Sequence, residues 1–129
     1  CGSAEVIGMI DRTLVPFAVN DLAQRAALAS LRAVDEMHDR VAGVVAERAR
    51  VADSLRAEGW TVPDPQGNFV WLPVADLSAD LGVALERHGV VARSFADVGV
   101  RVTVADRRAN DRFLAAIRAA AVELGVSPR

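Results

Sequence analysis

The spacing of apolar residues changes along the chain, and each change marks a new element. Val6, Ile7 and Ile10 recur at helical intervals and predict a short amphipathic helix over residues 4–13. Leu14 to Val19 reads as extended, because Pro16 disfavours helix at the residue before it. Asn20 is a good N-cap, so a helix is predicted from Asp21, with Leu22, Leu28, Leu31 and Val34 as its apolar positions. Met37, Val41, Val44, Val45, Val51 and Leu55 continue a stripe at spacings of three, four and seven. One long helix and two shorter ones both satisfy this stripe, since Gly43 weakens a helix without necessarily breaking it. Gly59 is the natural stop.

Beyond Gly59 the period shortens. Trp60-Thr61-Val62 predicts a short strand, and Pro63 to Gly67 a turn. Asn68 to Leu72 reads as an apolar strand buried on both faces. Asp76 or Ser78 caps a helix carrying Leu77, Leu81 and Leu85, which Gly89 ends. Val90 to Arg93 and Gly99 to Val104 are two further strands around a turn-like Ser94 to Val98. A last helix opens near Asp106, buries Phe113, Leu114, Ile117 and Leu124, and stops at Gly125. The expected fold class is therefore α+β, with long N-terminal helices packed on a small, mainly antiparallel sheet. Residues 1–129 read as one domain without repeat, linker or low-complexity segment.

Composition narrows the function classes. Hydrophobic residues at 52% and charged residues at 25% predict a folded domain. A net charge of -2 offers no footprint for nucleic acid or an anionic membrane, and no run of eighteen apolar residues exists to span a bilayer. The single cysteine, Cys1, cannot close an internal disulfide, so a reducing, cytoplasmic setting is the default. All 15 basic residues are arginine, and a chain without lysine can neither form a lysine Schiff base nor use lysine as a base. The opening Cys1-Gly2-Ser3, with no initiator Met and no signal-peptide pattern, fits an excised piece, although Gly2-Ser3 also fits a cloning scar.

Familiar catalytic patterns are missing: no Gly-rich phosphate loop, GxSxG, CxxC or HExxH occurs. Asp35, Glu36, His38 and Asp39 superficially resemble a metal cluster, but neighbours on a helix point apart, which favours a solvated face and no metal. His88 falls in a last helical turn, where a cation suits the helix dipole, and reads as structural. Arg107, Arg108 and Arg112 read as solvated surface. Arg101 differs. In Val100-Arg101-Val102-Thr103-Val104 the valines line one face and Arg101, Thr103 and Ala105 the other. A permanent charge in mid-strand is costly unless it meets an anion, and a carboxylate matches the guanidinium fork. A bound ligand and a structural salt bridge to one of the 17 acidic residues both satisfy Arg101. Arg93 raises the same question at a strand end, where the salt bridge is the favoured answer.

Five blocks carry a resemblance. Pro16 to Asn20 with Leu22-Ala23-Gln24, Gly67 to Val70, Arg93-Ser94-Phe95, Val100 to Val104 and Asn110 to Leu114 resemble, in order, those of the histidinol-phosphate aminotransferases. The similar aromatic (phenylalanine) aminotransferases of the fold-type I pyridoxal-phosphate enzymes share them. The resemblance runs from about Gly2 to about Arg118, and Gly2 to Val6 resembles the segment after the lysine-bearing stretch, against the scar reading. It implies that residues 1–129 are the C-terminal small domain. The Schiff-base lysine, the aspartate on the pyridine nitrogen and the phosphate-binding residues would lie in a large domain upstream of Cys1. Pyridoxal 5'-phosphate would then serve the complete enzyme but not be bound by this piece alone, which would hold no catalytic residue.

The resemblance also implies that the arginine matching Arg101 grips the substrate's acidic end and that the one matching Arg93 faces the substrate too. Substrates would be an amino acid or amino-phosphate with a 2-oxo acid, and the complete enzyme a homodimer. Ala18 departs from a usually polar position, and Ala105-Asp106 stands where Gly-Thr is common, as in the aromatic branch. The competing reading is a stand-alone, non-catalytic ligand-binding or dimerisation domain.

Overall fold

The computed structural model describes residues 3–13, 15 and 18–126. The extended reading of Leu14 to Val19 falls largely on Leu14, Pro16 and Phe17, which lie outside the described residues. Two compact units divide the chain, residues 1–38 and residues 39–129.

In the first unit, α1 spans Ala4–Asp11 and is capped by Ser3, whose side chain accepts the Val6 N–H. Helix α2 spans Asp21–Arg32, and Asn20 caps it as its sequence position predicts, with Oδ1 accepting the Ala23 N–H at 2.8 Å. Neither helix contains a buried residue. The long apolar stripe is two helices, and the break falls at Ala33 (φ -107°, ψ 42°) rather than at Gly43. Helix α3, Val34–Ala57, runs through Gly43 and carries the chain into the second unit.

The second unit adds β1 (Phe69–Ala75), α4 (Ser78–Arg87), β2 (Arg93–Phe95), β3 (Val98–Thr103) and α5 (Arg107–Leu124). The strands form one antiparallel sheet in the order β1-β3-β2, so the class is α+β as expected. One face of the sheet is the core. Val70, Leu72, Val100 and Val102 join Val51 and Leu55 of α3, Leu81 and Leu85 of α4, and Phe113 and Ile117 of α5 in one buried cluster. Each fully buried aliphatic side chain there contributes about 1.5–3 kcal/mol.

Several boundaries differ from the sequence expectation, each for a local reason. Trp60 and Val62 are buried as in a strand, but residues 60–62 join no strand ladder among the described residues. The end of α3 takes their hydrogen bonds instead: the Trp60 N–H donates to the Leu55 carbonyl, and the Arg56 guanidinium donates twice to the Val62 carbonyl, at 3.0 and 3.1 Å. Strand β1 is buried on one face only, since Phe69 and Trp71 are half-exposed where Val70 and Leu72 are sealed. Strand β2 begins at Arg93, not Val90, and includes Ser94 and Phe95, which the sequence assigns to a turn. The reversal is Ala96-Asp97, with Asp97 in the left-handed region at φ 56°. Leu77 occupies the N-cap of α4 without a side-chain bond, so neither Asp76 nor Ser78 caps it, and the Ser78 hydroxyl donates back to the Ala75 carbonyl.

Helix α5 follows expectation, opened by Asp106, whose Oδ1 accepts the Ala109 N–H at 2.8 Å, and closed by left-handed Gly125. His88 caps the C-terminus of α4 and meets Glu123 of α5 across 3.1 Å.

Two glycines allow close approaches around the sheet. A Cβ at Gly82 would meet the Ser94 hydroxyl at 2.0 Å, whereas one at Gly99 would lie 2.4 Å from both the Leu72 carbonyl oxygen and the Trp71 ring. A hydroxyl can rotate away; a paired backbone carbonyl cannot. Gly82→Ala is therefore expected to stay within about 1 kcal/mol of wild type, helped by the helix preference for Ala over Gly. Gly99→Ala is expected to lose about 1–3 kcal/mol. Urea denaturation midpoints of the two variants test the difference.

Candidate anion-binding site

Strand β3 lies between the other two, so its outer face is the middle of the sheet's outer face. Gly99, Arg101 and Thr103 occupy it, opposite the buried valines. Arg101 pairs with Trp71 on one side and with Arg93 on the other, giving a cross-sheet row of Trp71, Arg101 and Arg93. The two arginines that the sequence singled out separately are direct cross-strand partners. Such partners have Cα atoms about 4.5–5.5 Å apart, and like charges placed so destabilise a sheet.

Among the described residues neither arginine makes an ion pair or a hydrogen bond to a protein group. Aromatic rings hold them instead. The Arg101 guanidinium carbon lies 5.5 Å from the Phe69 ring centre, and that of Arg93 lies 5.1 Å from the Phe95 ring centre. Trp71 meets Phe95 edge to face, with centroids 5.6 Å apart at 65°. Sequence reasoning missed these rings by burying Phe69 and Trp71 on both faces and placing Phe95 in a turn. The alternation of Phe69 and Trp71 with Val70 and Leu72 was the available signal.

The far end of β3 is tied down by Asn110, which is 3% exposed. Its Oδ1 accepts the Ala105 N–H and its Nδ2 donates to the Ala105 carbonyl, both at 2.9 Å, while Nδ2 also donates to Glu47 at 2.9 Å. Arg50 grips the same Glu47 through two nitrogens and reaches Asp111 at 2.8 Å. Hydrogen bonds from Arg50 and then Asn110 hold the Glu47 carboxyl at about 2, well below the usual carboxylate range. At the entry to β1, Arg48 donates to the Gly67 carbonyl at 3.0 Å. Helix α3 thus anchors both the start of β1 and the end of β3.

The row presents two guanidiniums and, among the described residues, no nucleophile paired with a base. A covalent hold on the aldehyde of pyridoxal phosphate requires a primary side-chain amine, and the sequence contains no lysine, so these residues do not fit that role.

Residues 1–117 match the family described as aminotransferase class I and II. The chain belongs to that family. An aromatic amino acid aminotransferase of Streptomyces coelicolor is 55% identical over 109 residues, covering 84% of this chain and 30% of that protein. One of Thermobifida fusca is 48% identical over 117 residues, covering 91% of this chain and 33% of that protein. The histidinol-phosphate aminotransferase of Clostridium acetobutylicum shares the fold at a TM-score of 0.69 and 24% identity, over 96% of this chain and 39% of that one. The chain therefore spans about a third of the length of these relatives. Within this member of the family, the paired arginines lie on two of the five sequence blocks, and Asn110 on a third.

The depressed Glu47 pKa has a definite sign. Folding favours the carboxylate, so its contribution is complete above the ordinary value of 4.5 and is lost as pH falls towards about 2. Glu47→Gln is expected to be less stable at pH 7 and to lose less on acidification across that interval. Urea midpoints measured from pH 6 to pH 2 on both proteins check this.

Proposed function

We propose that residues 1–129 are the C-terminal small domain of a pyridoxal-phosphate-dependent aminotransferase acting on an aromatic amino acid, with a 2-oxo acid as acceptor. The carrying observation is the cross-strand pairing of Arg101 with Arg93 on the outer sheet face, each guanidinium over an aromatic ring and, among the described residues, without an acidic partner. Arg101 grips the carboxylate of the substrate through its fork, and Arg93 faces the same ligand. The relatives named as aromatic amino acid aminotransferases support an aromatic donor over histidinol phosphate. Bound pyridoxal phosphate supplies the electron sink for amino transfer. This chain's residues orient the acidic end of the substrate, and the lysine and cofactor pocket belong to a large domain outside 1–129. The complete enzyme works as a cytoplasmic homodimer.

The test is phenylalanine-dependent amino transfer by the complete gene product, with 2-oxoglutarate as acceptor and histidinol phosphate as the alternative donor. Arg101→Gln is expected to raise KM for phenylalanine about 10- to 100-fold, since hydrogen bonds between charged groups contribute about 1.5–3 kcal/mol. An unchanged KM removes Arg101 from its role. Residues 1–129 alone are expected to catalyse nothing, and turnover by pure material of this length would overturn that.

The exposed apolar side chains Val6, Ile7 and Ile10 of α1 and Leu22, Leu28 and Leu31 of α2 favour burial against another polypeptide surface. They also motivate the second reading, a stand-alone dimerisation domain. On either reading residues 1–129 are expected to self-associate as purified. A strictly monomeric mass by light scattering would count against a missing partner surface.

A further inference from the structure

We infer that Phe69 and Phe95 are positioning residues of the anion site, holding Arg101 and Arg93 by their guanidinium faces so that the in-plane N–H groups stay free. The inference rests on the proposed role of the two arginines as ligand-binding groups. Half-buried Arg50 is steadied by two carboxylates, Glu47 and Asp111. An acid beside Arg101 or Arg93 would occupy the fork and cancel the charge that attracts the ligand. A ring does neither. Its negative face attracts the flat face of the cation within about 6 Å, and the donors lie in the guanidinium plane, directed away from the ring. The guanidinium carbons of Arg101 and Arg93 lie over their rings at 5.5 and 5.1 Å from the ring centres, and among the described residues neither has an acidic partner.

The rings are themselves seated by glycines. A Cβ at Gly67 would lie 2.7 Å from the Phe69 ring, so Phe69 occupies its place only because residue 67 has none. Gly99 gives the same room to Trp71, whose ring lies where a Cβ would come within 2.4 Å, and there Trp71 meets Phe95 edge to face. Phe95 pairs with Gly99 across β2 and β3, on a strand of only three residues, and the Trp71 edge is what steadies its ring. Each arginine therefore stands on a chain of contacts: Gly67, Phe69 and Arg101 on one side, and Gly99, Trp71, Phe95 and Arg93 on the other.

The experiment uses the complete gene product and two readouts, KM and kcat for phenylalanine and calorimetric Kd for 3-phenylpropionate, a carboxylate that cannot react. Phe69→Leu keeps an apolar side chain but removes the ring, Phe69→Tyr keeps the ring, and Phe95→Leu does at the exposed edge what Phe69→Leu does in the middle. Each Leu variant is expected to raise KM and Kd about 5- to 30-fold with kcat within about twofold, and Phe69→Tyr to restore both. In an Arg101→Gln background, Phe69→Leu is expected to have no further effect on Kd. Wild-type Kd in either folded Leu variant, or an equal loss with and without Arg101, overturns the inference. In that case wild-type turnover still leaves the aminotransferase reading intact. Absence of wild-type turnover removes the aminotransferase reading alone, and 3-phenylpropionate binding then decides the ring's role. If the wild type does not bind that probe, the inference falls as well. Should Phe69→Leu fail to fold, the Kd of Phe95→Leu decides between the two outcomes.

Discussion

Strand β3 is hydrogen-bonded along both edges, and its pleat cannot slip by one residue without turning its valines outward and Arg101 into the core. That constraint fixes the rest of the second unit. The inward valines define where α3, α4 and α5 can lay their apolar faces, and the outward positions define the only surface on which β1 and β2 can add side chains to Arg101. Trp71 and Arg93 reach Arg101 because register leaves them no other neighbour in that row. An outward arginine row and an inward aliphatic core are thus two consequences of one strand pairing.

The helices contribute position as well as burial. Glu47 lies four residues, about one helical turn, before the buried Val51 on α3, so the core contact that seats α3 also brings its carboxylate to Asn110. Asn110 satisfies both backbone groups of Ala105, at the corner between β3 and α5. A half-buried carboxylate of this kind is tolerable because Arg50 and Asn110 both donate to it.

Period and punctuation made most of the fold legible. Asn20, Asp106, Gly59, Gly89 and Gly125 all end or begin helices where sequence alone places them, because caps act through one or two local bonds. The misreadings involve groups whose partners lie outside their own predicted element. Val62 has strand-like burial but gives its carbonyl to an arginine six residues back. Ser94 and Phe95 look like a turn until Gly82 opens room above Ser94 and Gly99 lets Trp71 reach Phe95. Arg101 stood out because a charge among valines is conspicuous. Its adjacency to Arg93 did not, since register between strands is not written in either strand by itself. Asn110 opens one of the five sequence blocks, but its bonds to Ala105 and Glu47 were not legible there, since a polar residue early in a helix reads as surface until its partners are known.

The outer strands carry a last consequence, for what this sheet does in a concentrated solution. At one margin β1 contains Pro73, which has no N–H to offer, and at the other β2 is three residues long and bears an arginine. Neither margin is a good template for a further strand from another molecule. The sheet therefore offers no ready margin for growth by strand addition.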